Sequence, residues 1–485
     1  MEYLARPIAW AVFRDEFIVV ASIMLALVCE IARPRRMASP SGWIMLAGFT
    51  LALCLAFWSP VADASVWNGI FAVDSMSRFF RKIFLGAGIL SVLLSMKLMK
   101  RSVYEGGWYA LLGSSVTGMM LMAGSGELIT MYVSLETASI SLYLLASMQS
   151  GSLTDSREAG LKYLLVGAFS SALFLFGASF IYQAAGVTTF AEIRQLMPAH
   201  AKDGLVLMGL VLMLSAVGFK VAAVPFHMWA PDVYQGGPSP MVAFASTASK
   251  AAGFIFMGRL MLAALPGLRA DWTLLLSVMA ALTMILGSFA AIPQTSILRM
   301  LAYSSIAQAG FLIVGFVPGS ELGMGAVMFH LVAYLFTNIA AFAVVVIMTT
   351  RPGVGDNIDD YAGLARRSPI LALCMMLALL SLAGIPPLGE FVGKFFLFAS
   401  AMQDSGKFLW LVILGTLLSI VSLYFYLMVI RRMYMEPSDK GKITVGFASG
   451  LALVVCMAGI FVTGVLPGIV MDSALEAGKA FLSLK

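Results

Sequence analysis

Long apolar runs, separated by short polar stretches, recur along the whole chain of 485 residues. A run of about 20 apolar residues has the length that crosses the hydrocarbon core of a bilayer as an α-helix. The pattern therefore predicts an all-α polytopic membrane protein with about 14 transmembrane helices, in one membrane domain of residues 1–485. The predicted spans are residues 17–32, 43–57, 83–99, 108–123, 128–148, 163–183, 205–225, 241–265, 274–292, 298–317, 323–348, 370–402, 408–430 and 445–466.

The composition agrees with a chain surrounded by lipid. Charged residues make up 12% of the chain, against about 25% in a soluble globular protein. The net charge is +6, but the basic residues stand singly or in small groups at the ends of apolar runs, which argues against a nucleic-acid partner. The cysteines are too far apart for a metal or iron–sulfur site, so neither a metal nor a cofactor is predicted in this chain. They are Cys29, Cys54, Cys374 and Cys456.

Four lysines fall within or at the edges of the predicted spans: Lys162, Lys220, Lys250 and Lys394. A lysine at the centre of a membrane helix costs about 2.5–3.5 kcal/mol on the insertion scale. Four of them cost on the order of 10 kcal/mol, which is comparable with the net stability of a whole domain. Leucine would be more stable at each position, so we interpret these amines as groups whose protonation changes.

Two spans contain helix breakers, at Pro225 and at the pair Pro386 and Pro387. Proline removes a backbone donor and clashes with the preceding turn. Interrupted backbone at membrane depth survives only inside protein or beside a water-filled cavity. Paired interruptions in two halves of a chain are typical of inverted-repeat transporters, so we predict repeats at residues 108–265 and 274–430.

Glu136 lies in the middle of a predicted span, where a carboxylate is expensive unless it is neutralised or paired. It is either a structural group that fixes helix packing or a switchable partner for a lysine, most simply Lys220. A lysine beside a carboxylate keeps its proton. When the carboxylate moves away, loss of hydration favours the neutral amine and the proton leaves. Lys220, Lys250 and Lys394 would then be successive stations for protons.

Lys162, His227 and His330 are each open to two interpretations, whereas Arg259 is given one. Lys162 follows Glu158 by four residues, so a surface ion pair explains it as well as a role in proton transfer. Arg259, near the end of its span, is predicted to extend its charge to the membrane surface. His227, beside Pro225, and His330, inside a span, are either proton relays or hydrogen-bonding groups between helices.

Several motifs carry a resemblance to one protein family. Residues 231–240 read PDVYQGGPSP and residues 247–250 read TASK. Further motifs are SLETASISLYLL at 134–145, EAGLKYLLVGAFSSA at 158–172, RMLAYSSIAQAGF at 299–311 and YLFTNIAAF at 334–342. Together they resemble the antiporter-like membrane subunits of respiratory complex I and their Mrp-type sodium/proton antiporter relatives. The resemblance extends from about Asp74 to Tyr434.

The resemblance implies two inverted five-helix repeats with helices 7 and 12 broken, and it implies which residues translocate protons. They would be the helix-five glutamate Glu136, the helix-six lysine Lys162, Lys220 in broken helix seven, Lys250 in helix eight and Lys394 in broken helix twelve.

The chain departs from the family pattern at three positions. Gln308 stands where a histidine is frequent, and His330 stands where an aromatic residue is frequent. Glu390 replaces a small residue four positions before Lys394, where it is expected to pair with that lysine or to face a polar cavity. His330 and Glu390 therefore join His227, which lies beside the break at Pro225, as additional relay candidates.

The function that these features predict is proton translocation by a membrane subunit of complex I, driven by redox chemistry in other subunits. NADH, FMN, iron–sulfur clusters and quinone are expected in those subunits. The expected partners are neighbouring membrane subunits and lipid, with only protons and water as substrates, in a bacterial inner membrane. The alternatives are the D-type component of an Mrp antiporter, a hydrogenase membrane subunit, or a structural scaffold without an ion path.

Overall fold

The computed structural model describes residues 11–32, 39–61, 63–100, 102, 104–148, 153–349, 356–403, 406–438 and 441–483. These residues are almost entirely helical. The first half contains α1 Arg14–Ala32, α2 Ser41–Trp58, α3 Ser75–Met99, α4 Glu105–Gly124, α5 Leu128–Ser147, α6 Leu153–Ala185, α7 Phe190–Leu196, α8 Gly204–Val221, α9 Trp229–Gly236 and α10 Ser239–Ala264. The second half contains α11 Arg269–Ala291, α12 Ile297–Phe316, α13 Glu321–Thr349, α14 Leu364–Arg367, α15 Pro369–Ala383, α16 Gly389–Met402, α17 Leu409–Met435, α18 Phe447–Val465 and α19 Gly468–Ser483.

Each of the fourteen predicted spans coincides with a helix or a broken pair of helices, so the prediction of an all-α multi-pass membrane protein is confirmed. Within the described ranges, 11 helices are long and apolar enough to cross a membrane by themselves. The other predicted spans are α1, which contains Arg14, Asp15, Glu16 and Glu30, α4, which is less apolar, and the broken pair formed by α15 and α16.

Apart from the short helices α7, α9 and α14, two elements were not predicted from the sequence. Helix α19 packs against α13 and α3, and its Asp472, Glu476 and Lys479 interrupt the apolar pattern that identifies a span. The other element is a small antiparallel hairpin, β1 Ala64–Val66 and β2 Phe71–Val73, which is too short to give a periodic signal.

Helices α10, α12 and α13, which carry Lys250, Gln308 and His330, lie inside the bundle. The hydrophobic core of α10 is completely buried, and α12 and α13 are nearly so. Helices α6, α17 and α18 instead expose apolar side chains such as Phe169, Ile420 and Val454 on the outside. Outward-facing apolar side chains suit contact with lipid, whereas polar groups in a membrane protein face the interior of the bundle.

Both predicted interruptions occur in the structure. Helix α8 ends at Val221 and α9 begins at Trp229, and Ala222 between them has the left-handed φ of 58°. Helix α15 ends at Ala383 and α16 begins at Gly389, and Gly384 between them has a φ of 86°. The Val224–Pro225 and Pro386–Pro387 peptide bonds are cis. Each predicted proline therefore lies in a break between two half-helices.

Helix α10 is irregular on both sides of its lysine. The turns Ala245–Ser249 and Arg259–Ala264 are π-helical, and Lys250 begins the α-helical segment between them. A π-helical turn inserts a residue into the helical repeat and is frequent at functional sites. The irregularity changes the direction in which the following side chains point.

The prediction that Arg259 extends to the membrane surface is wrong. Its side chain is buried and forms an ion pair with Asp74, at 2.7 Å between Nη1 and Oδ2. It also donates hydrogen bonds to the carbonyl oxygen of Ala123, and its guanidinium lies 5.1 Å from the ring centroid of Phe481 in α19. The arginine therefore joins α10 to α3, α4 and α19. The sequence alone could not show that the start of α3 faces α10.

Replacing Arg259 by leucine should strongly destabilise the protein, because Asp74 would remain as an unpaired buried carboxylate. The expected loss in the free energy of unfolding is about 3–5 kcal/mol. The measurement is the apparent Tm of the purified protein in detergent. The double variant Asp74→Asn, Arg259→Leu should recover part of the loss.

Arg432→Leu is the matched control, because Arg432 pairs with Glu436 and its side chain is 43% exposed. An exposed pair contributes little to stability, so this variant should keep a Tm close to that of the wild type. Equal losses for Arg259→Leu and Arg432→Leu would contradict the role given to the buried pair.

Candidate functional site

Lys220 is buried at the end of α8 and donates a hydrogen bond to the hydroxyl of Ser139 in α5, at 2.8 Å. The chain leaves the helix through the left-handed Ala222, whose N–H bonds the carbonyl of Phe219. Carbonyl groups at a helix C-terminus carry partial negative charge, which favours a nearby cation. Breaking the helix after Lys220 therefore gives the buried ammonium a favourable field without an anionic partner.

Glu136 does not form the predicted ion pair with Lys220. Its half-buried carboxylate accepts a hydrogen bond from Ser171 in α6 instead. Glu136 lies three residues before Ser139 in α5, so the carboxylate and the hydroxyl that binds Lys220 lie on the same face of that helix. The two charged groups are therefore neighbours that are separated by neutral hydroxyls.

Lys250 is buried and donates a hydrogen bond to the backbone carbonyl of Ser305 in α12. The hydroxyl of Tyr234 contacts the Ser305 hydroxyl at 3.1 Å, and the Tyr334 ring centroid lies 6.0 Å from the Lys250 Nζ. Among the described residues, no carboxylate lies within ion-pair distance of this amine. Its surroundings are therefore polar and neutral.

Lys394 occupies a similar environment at the second break. It donates a hydrogen bond to the carbonyl of Leu382, at 2.7 Å, and its Nζ lies 4.6 Å from the ring centroid of Phe311. In an unbroken helix the Leu382 carbonyl would accept from the N–H of residue 386. That residue is Pro386, which has no N–H. The break thus supplies the oxygen that holds the lysine.

Helix α12 connects the surroundings of Lys250 and Lys394. Ser305 in this helix accepts from Lys250, and Gln308 lies three residues further along the same face. The side-chain amide of Gln308 donates to the Leu382 carbonyl at 2.8 Å, so it shares that oxygen with Lys394. Polar groups of α12 therefore contact the ammonium group of Lys250 and the carbonyl oxygen that accepts from Lys394.

A close helix–helix approach brings the end of α8 near the middle of α10. Gly253 in α10 lies beside the backbone of Lys220, and an added Cβ would stand 2.6 Å from the Cγ1 of Val221 and 3.3 Å from the Cγ of Lys220. Gly253 follows Lys250 by three residues. The absence of a side chain at this position therefore lets the helix that carries Lys250 pack against Lys220.

Lys162 differs from the other three lysines because its side chain is 45% exposed. It forms the predicted pair with Glu158, at 2.9 Å, and a second pair with Asp232, at 2.8 Å. Asp232 also pairs with Arg299 at 2.8 Å. Burial raises the pKa of the Asp232 carboxyl, but the hydrogen bonds from Lys162 and Arg299 outweigh burial and leave its pKa below the usual value. Lys162 thus belongs to a surface ion cluster.

Of the remaining relay candidates, His227 and Glu390 lie at the two breaks and His330 lies inside α13. His227 is half-buried in the segment between α8 and α9. Glu390 was expected to pair with Lys394 or to face a polar cavity. It is instead completely buried against His330, with 3.0 Å between its Oε2 and the histidine Nε2. The sequence placed both residues in spans, but it could not show that α13 and α16 bring them into contact.

No cluster of three or more histidine, cysteine, aspartate or glutamate side chains that could hold a metal ion occurs in the described ranges of the chain. The four cysteines are free, and Cys374 and Cys456 are buried. The titratable groups buried in the interior include the amines of Lys220, Lys250 and Lys394, the carboxyl group of Glu390 and the imidazole of His330.

The chain is similar to proteins of known family. Residues 125–419 match the family described as NADH:quinone oxidoreductase/Mrp antiporter, TM. NADH-quinone oxidoreductase subunit N of Moorella thermoacetica is 43% identical over 442 residues, which cover 90% of this chain and 92% of that protein. Subunit N of Trichlorobacter lovleyi is 41% identical over 98% of both chains. A chain of respiratory complex I from Thermus thermophilus superposes with a TM-score of 0.81 at 31% identity, over 94% of this chain and 98% of that chain.

Replacing Gly253 by alanine should destabilise the protein, because the added methyl group overlaps Val221 and pushes α10 away from Lys220. Overpacking of this kind costs about 1–3 kcal/mol. The apparent Tm of the purified protein measures the effect. Gly107→Ala is the matched control, because its Cβ would meet only the Met148 Cε at 3.9 Å. A loss of stability as large at Gly107 as at Gly253 would contradict the close approach.

Proposed function

The chain belongs to the NADH:quinone oxidoreductase/Mrp antiporter family, and we propose that it is the proton-translocating, antiporter-like membrane subunit of an NADH:quinone oxidoreductase. The family predicted from the sequence motifs is thereby confirmed. The observation that carries the proposal is the environment of Lys220, Lys250 and Lys394. Each is buried in the bundle, and each ammonium donates to a neutral hydroxyl or carbonyl oxygen.

A neutral acceptor leaves the charge state of a buried amine easy to change. A close carboxylate would hold the proton by direct Coulomb attraction, which is strong where the surroundings have a low dielectric constant. A hydroxyl or carbonyl oxygen stabilises the ammonium but also tolerates the neutral amine. Small movements of a nearby charge then decide whether the proton stays, and this sensitivity is what a proton station needs.

The proposed path runs through the middle of the bundle. It leads from Glu136 and Lys220 to Lys250 across the contact at Gly253, and from Lys250 to Lys394 across α12. Protons move between such groups along short chains of hydrogen-bonding groups and water, for which buried polar sites provide partners.

Two residues near the ends of the interior path have supporting roles in the proposal. Lys162 lies in the surface ion cluster with Glu158 and Asp232, where protons exchange with solvent, and is proposed as the group at the mouth of the first half. His227 lies at the first break and is proposed as a relay between that surface and Lys220.

We also propose that residues 108–265 and 274–430 are two repeats of one five-helix unit. Their helices occur in the same order, and in each the fourth member is broken. Each break begins with a residue in the left-handed conformation, Ala222 or Gly384, and lies beside a buried lysine. Inverted repeats with discontinuous helices place the ion path beside the breaks, as proposed for this chain.

The energy for translocation comes, in this proposal, from redox chemistry in other subunits, which hold NADH, FMN, iron–sulfur clusters and quinone. The redox reaction acts on this chain through a movement of charge or of a helix at its contact with neighbouring membrane subunits. The similarity to bacterial subunit N proteins supports a location in the bacterial inner membrane. Lipid surrounds the chain in this proposal, and its only small-molecule substrates are protons and water.

The matched family also includes Mrp antiporters, so an antiporter component is an alternative to the complex I subunit. The D-type component of such an antiporter or a hydrogenase membrane subunit would use a similar lysine path with a different energy source. Co-purification with peripheral iron–sulfur subunits distinguishes the proposed complex from the antiporter, and its NADH:quinone reductase activity distinguishes it from both. A scaffold without an ion path is disfavoured by the cost of the buried lysines.

Replacing Lys250 by alanine should abolish the share of proton pumping that depends on this chain, because the station between the two halves of the path is lost. The measurement is NADH-driven acidification inside vesicles that contain the reconstituted complex, with assembly checked by subunit composition. Lys407→Ala is the control, because Lys407 is exposed outside the bundle. Normal pumping by the assembled Lys250→Ala complex would remove Lys250 from the path.

A further inference from the structure

Glu390 and His330 form an acid–base pair that is completely enclosed by protein. Both side chains are 0% exposed, and the Oε2 of Glu390 lies 3.0 Å from the Nε2 of His330. Apart from this contact, no side-chain nitrogen or oxygen of the pair has a hydrogen-bond partner among the described residues. A buried carboxylate and imidazole without other partners are costly unless they share or exchange a proton.

The position of the pair links two of the buried lysines. Tyr334 follows His330 by one turn of α13, and its ring centroid lies 6.0 Å from the Nζ of Lys250. Lys394 follows Glu390 by one turn of α16. The alternative connection through α12 consists of the Ser305 carbonyl and the Gln308 amide, neither of which takes up a proton near neutral pH. The Glu390–His330 pair is thus the link between Lys250 and Lys394 that can take up and release a proton.

The two proposed repeats differ in where they carry a carboxylate. Glu136 is eight residues after the start of α5 at Leu128, and the corresponding position in α12 is Ser305, eight residues after Ile297. The same alignment matches Ser139, which binds Lys220, with Gln308, which shares the Leu382 carbonyl with Lys394. The second repeat therefore lacks the acid at this position, and Glu390 supplies one on the broken helix itself.

We propose that Glu390 and His330 form one proton-exchanging site that passes protons between Lys250 and Lys394. A proton that leaves the Lys250 ammonium forms a new N–H or O–H bond on the pair, which then releases a proton to the neutral Lys394 amine. Each transfer breaks one such bond, forms another and moves one positive charge, so no oxidant or reductant is required. This inference rests on the proposed function, because it assumes that Lys250 and Lys394 carry protons.

A pair that only fastens α13 to α16 would need the contact but not the exchange of a proton. The variant Glu390→Gln separates these roles, because it keeps the size and hydrogen-bonding capacity of the side chain but cannot ionise. The variant Glu390→Asp can ionise but has a shorter reach. The matched control is Ser400→Ala, a completely buried position in the same helix, whose hydroxyl donates to the carbonyl of Leu397 one turn before it.

The experiment measures protons transported per NADH oxidised by the assembled complex in vesicles. Glu390→Gln should lose the share of transport that depends on this chain, Glu390→Asp should keep part of it, and Ser400→Ala should match the wild type. A wild-type ratio in Glu390→Gln would overturn the inference. Lys250→Ala in the same assay distinguishes a failure of the proposed function from a failure of this inference. If Lys250→Ala removes this share of transport while Glu390→Gln does not, only the role of the Glu390–His330 pair is wrong.

The combination of two variants tests whether the pair acts as a single site. His330→Phe should lower the ratio as much as Glu390→Gln, and the double variant should be no worse than either single variant, because both remove the same site. Losses that multiply in the double variant would overturn the assignment of a single site.

Infrared difference spectroscopy on the wild-type complex provides a readout independent of transport. Turnover should change the carbonyl stretch of a protonated carboxyl group, the band should shift in heavy water, and it should move in Glu390→Asp. A turnover spectrum in which no carboxyl band depends on residue 390 would contradict proton uptake by the pair. This result holds even if Glu390→Gln fails to assemble.

Discussion

The central interaction of this protein is the hydrogen bond between a buried ammonium group and a neutral oxygen. The second helix break shows its physical origin, because Pro386 cannot donate to the carbonyl of Leu382 and that oxygen becomes available to Lys394. At the first break, the end of α8 offers its carbonyl dipoles to Lys220 while Ser139 accepts its hydrogen bond. Interrupted helices therefore supply polarity inside a bundle that has few charges.

Arg259 and the buried lysines show two opposite uses of buried charge. Arg259 lies directly against Asp74, and the pair joins four helices. A direct pair of this kind keeps both charges fixed, since removing either leaves the other unpaired. Lys220 and Glu136, by contrast, are neighbours without contact, which allows their interaction to change when a helix moves slightly. The same bundle thus separates groups that hold it together from groups that are suited to transfer protons.

Much of the fold and of the site could be predicted from the sequence, because the relevant signals are local. Apolar runs define the spans, and a lysine or a proline within such a run stands out against its neighbours. The partner of each group could not be predicted, because it depends on which helices pack together. Glu136 bonds Ser171 rather than Lys220, and Glu390 contacts His330. Helix α19 was not predicted because its polar residues interrupt the apolar run by which a span is identified.

The central claim is that Lys220, Lys250 and Lys394 are joined by a hydrated polar path. The most direct test is a structure of the assembled complex in lipid at a resolution that shows ordered water. The account predicts water molecules that link the three amines through Ser305 and the Glu390–His330 pair. Apolar side chains packed without water between Lys220 and Lys250, or between Lys250 and Lys394, would contradict it.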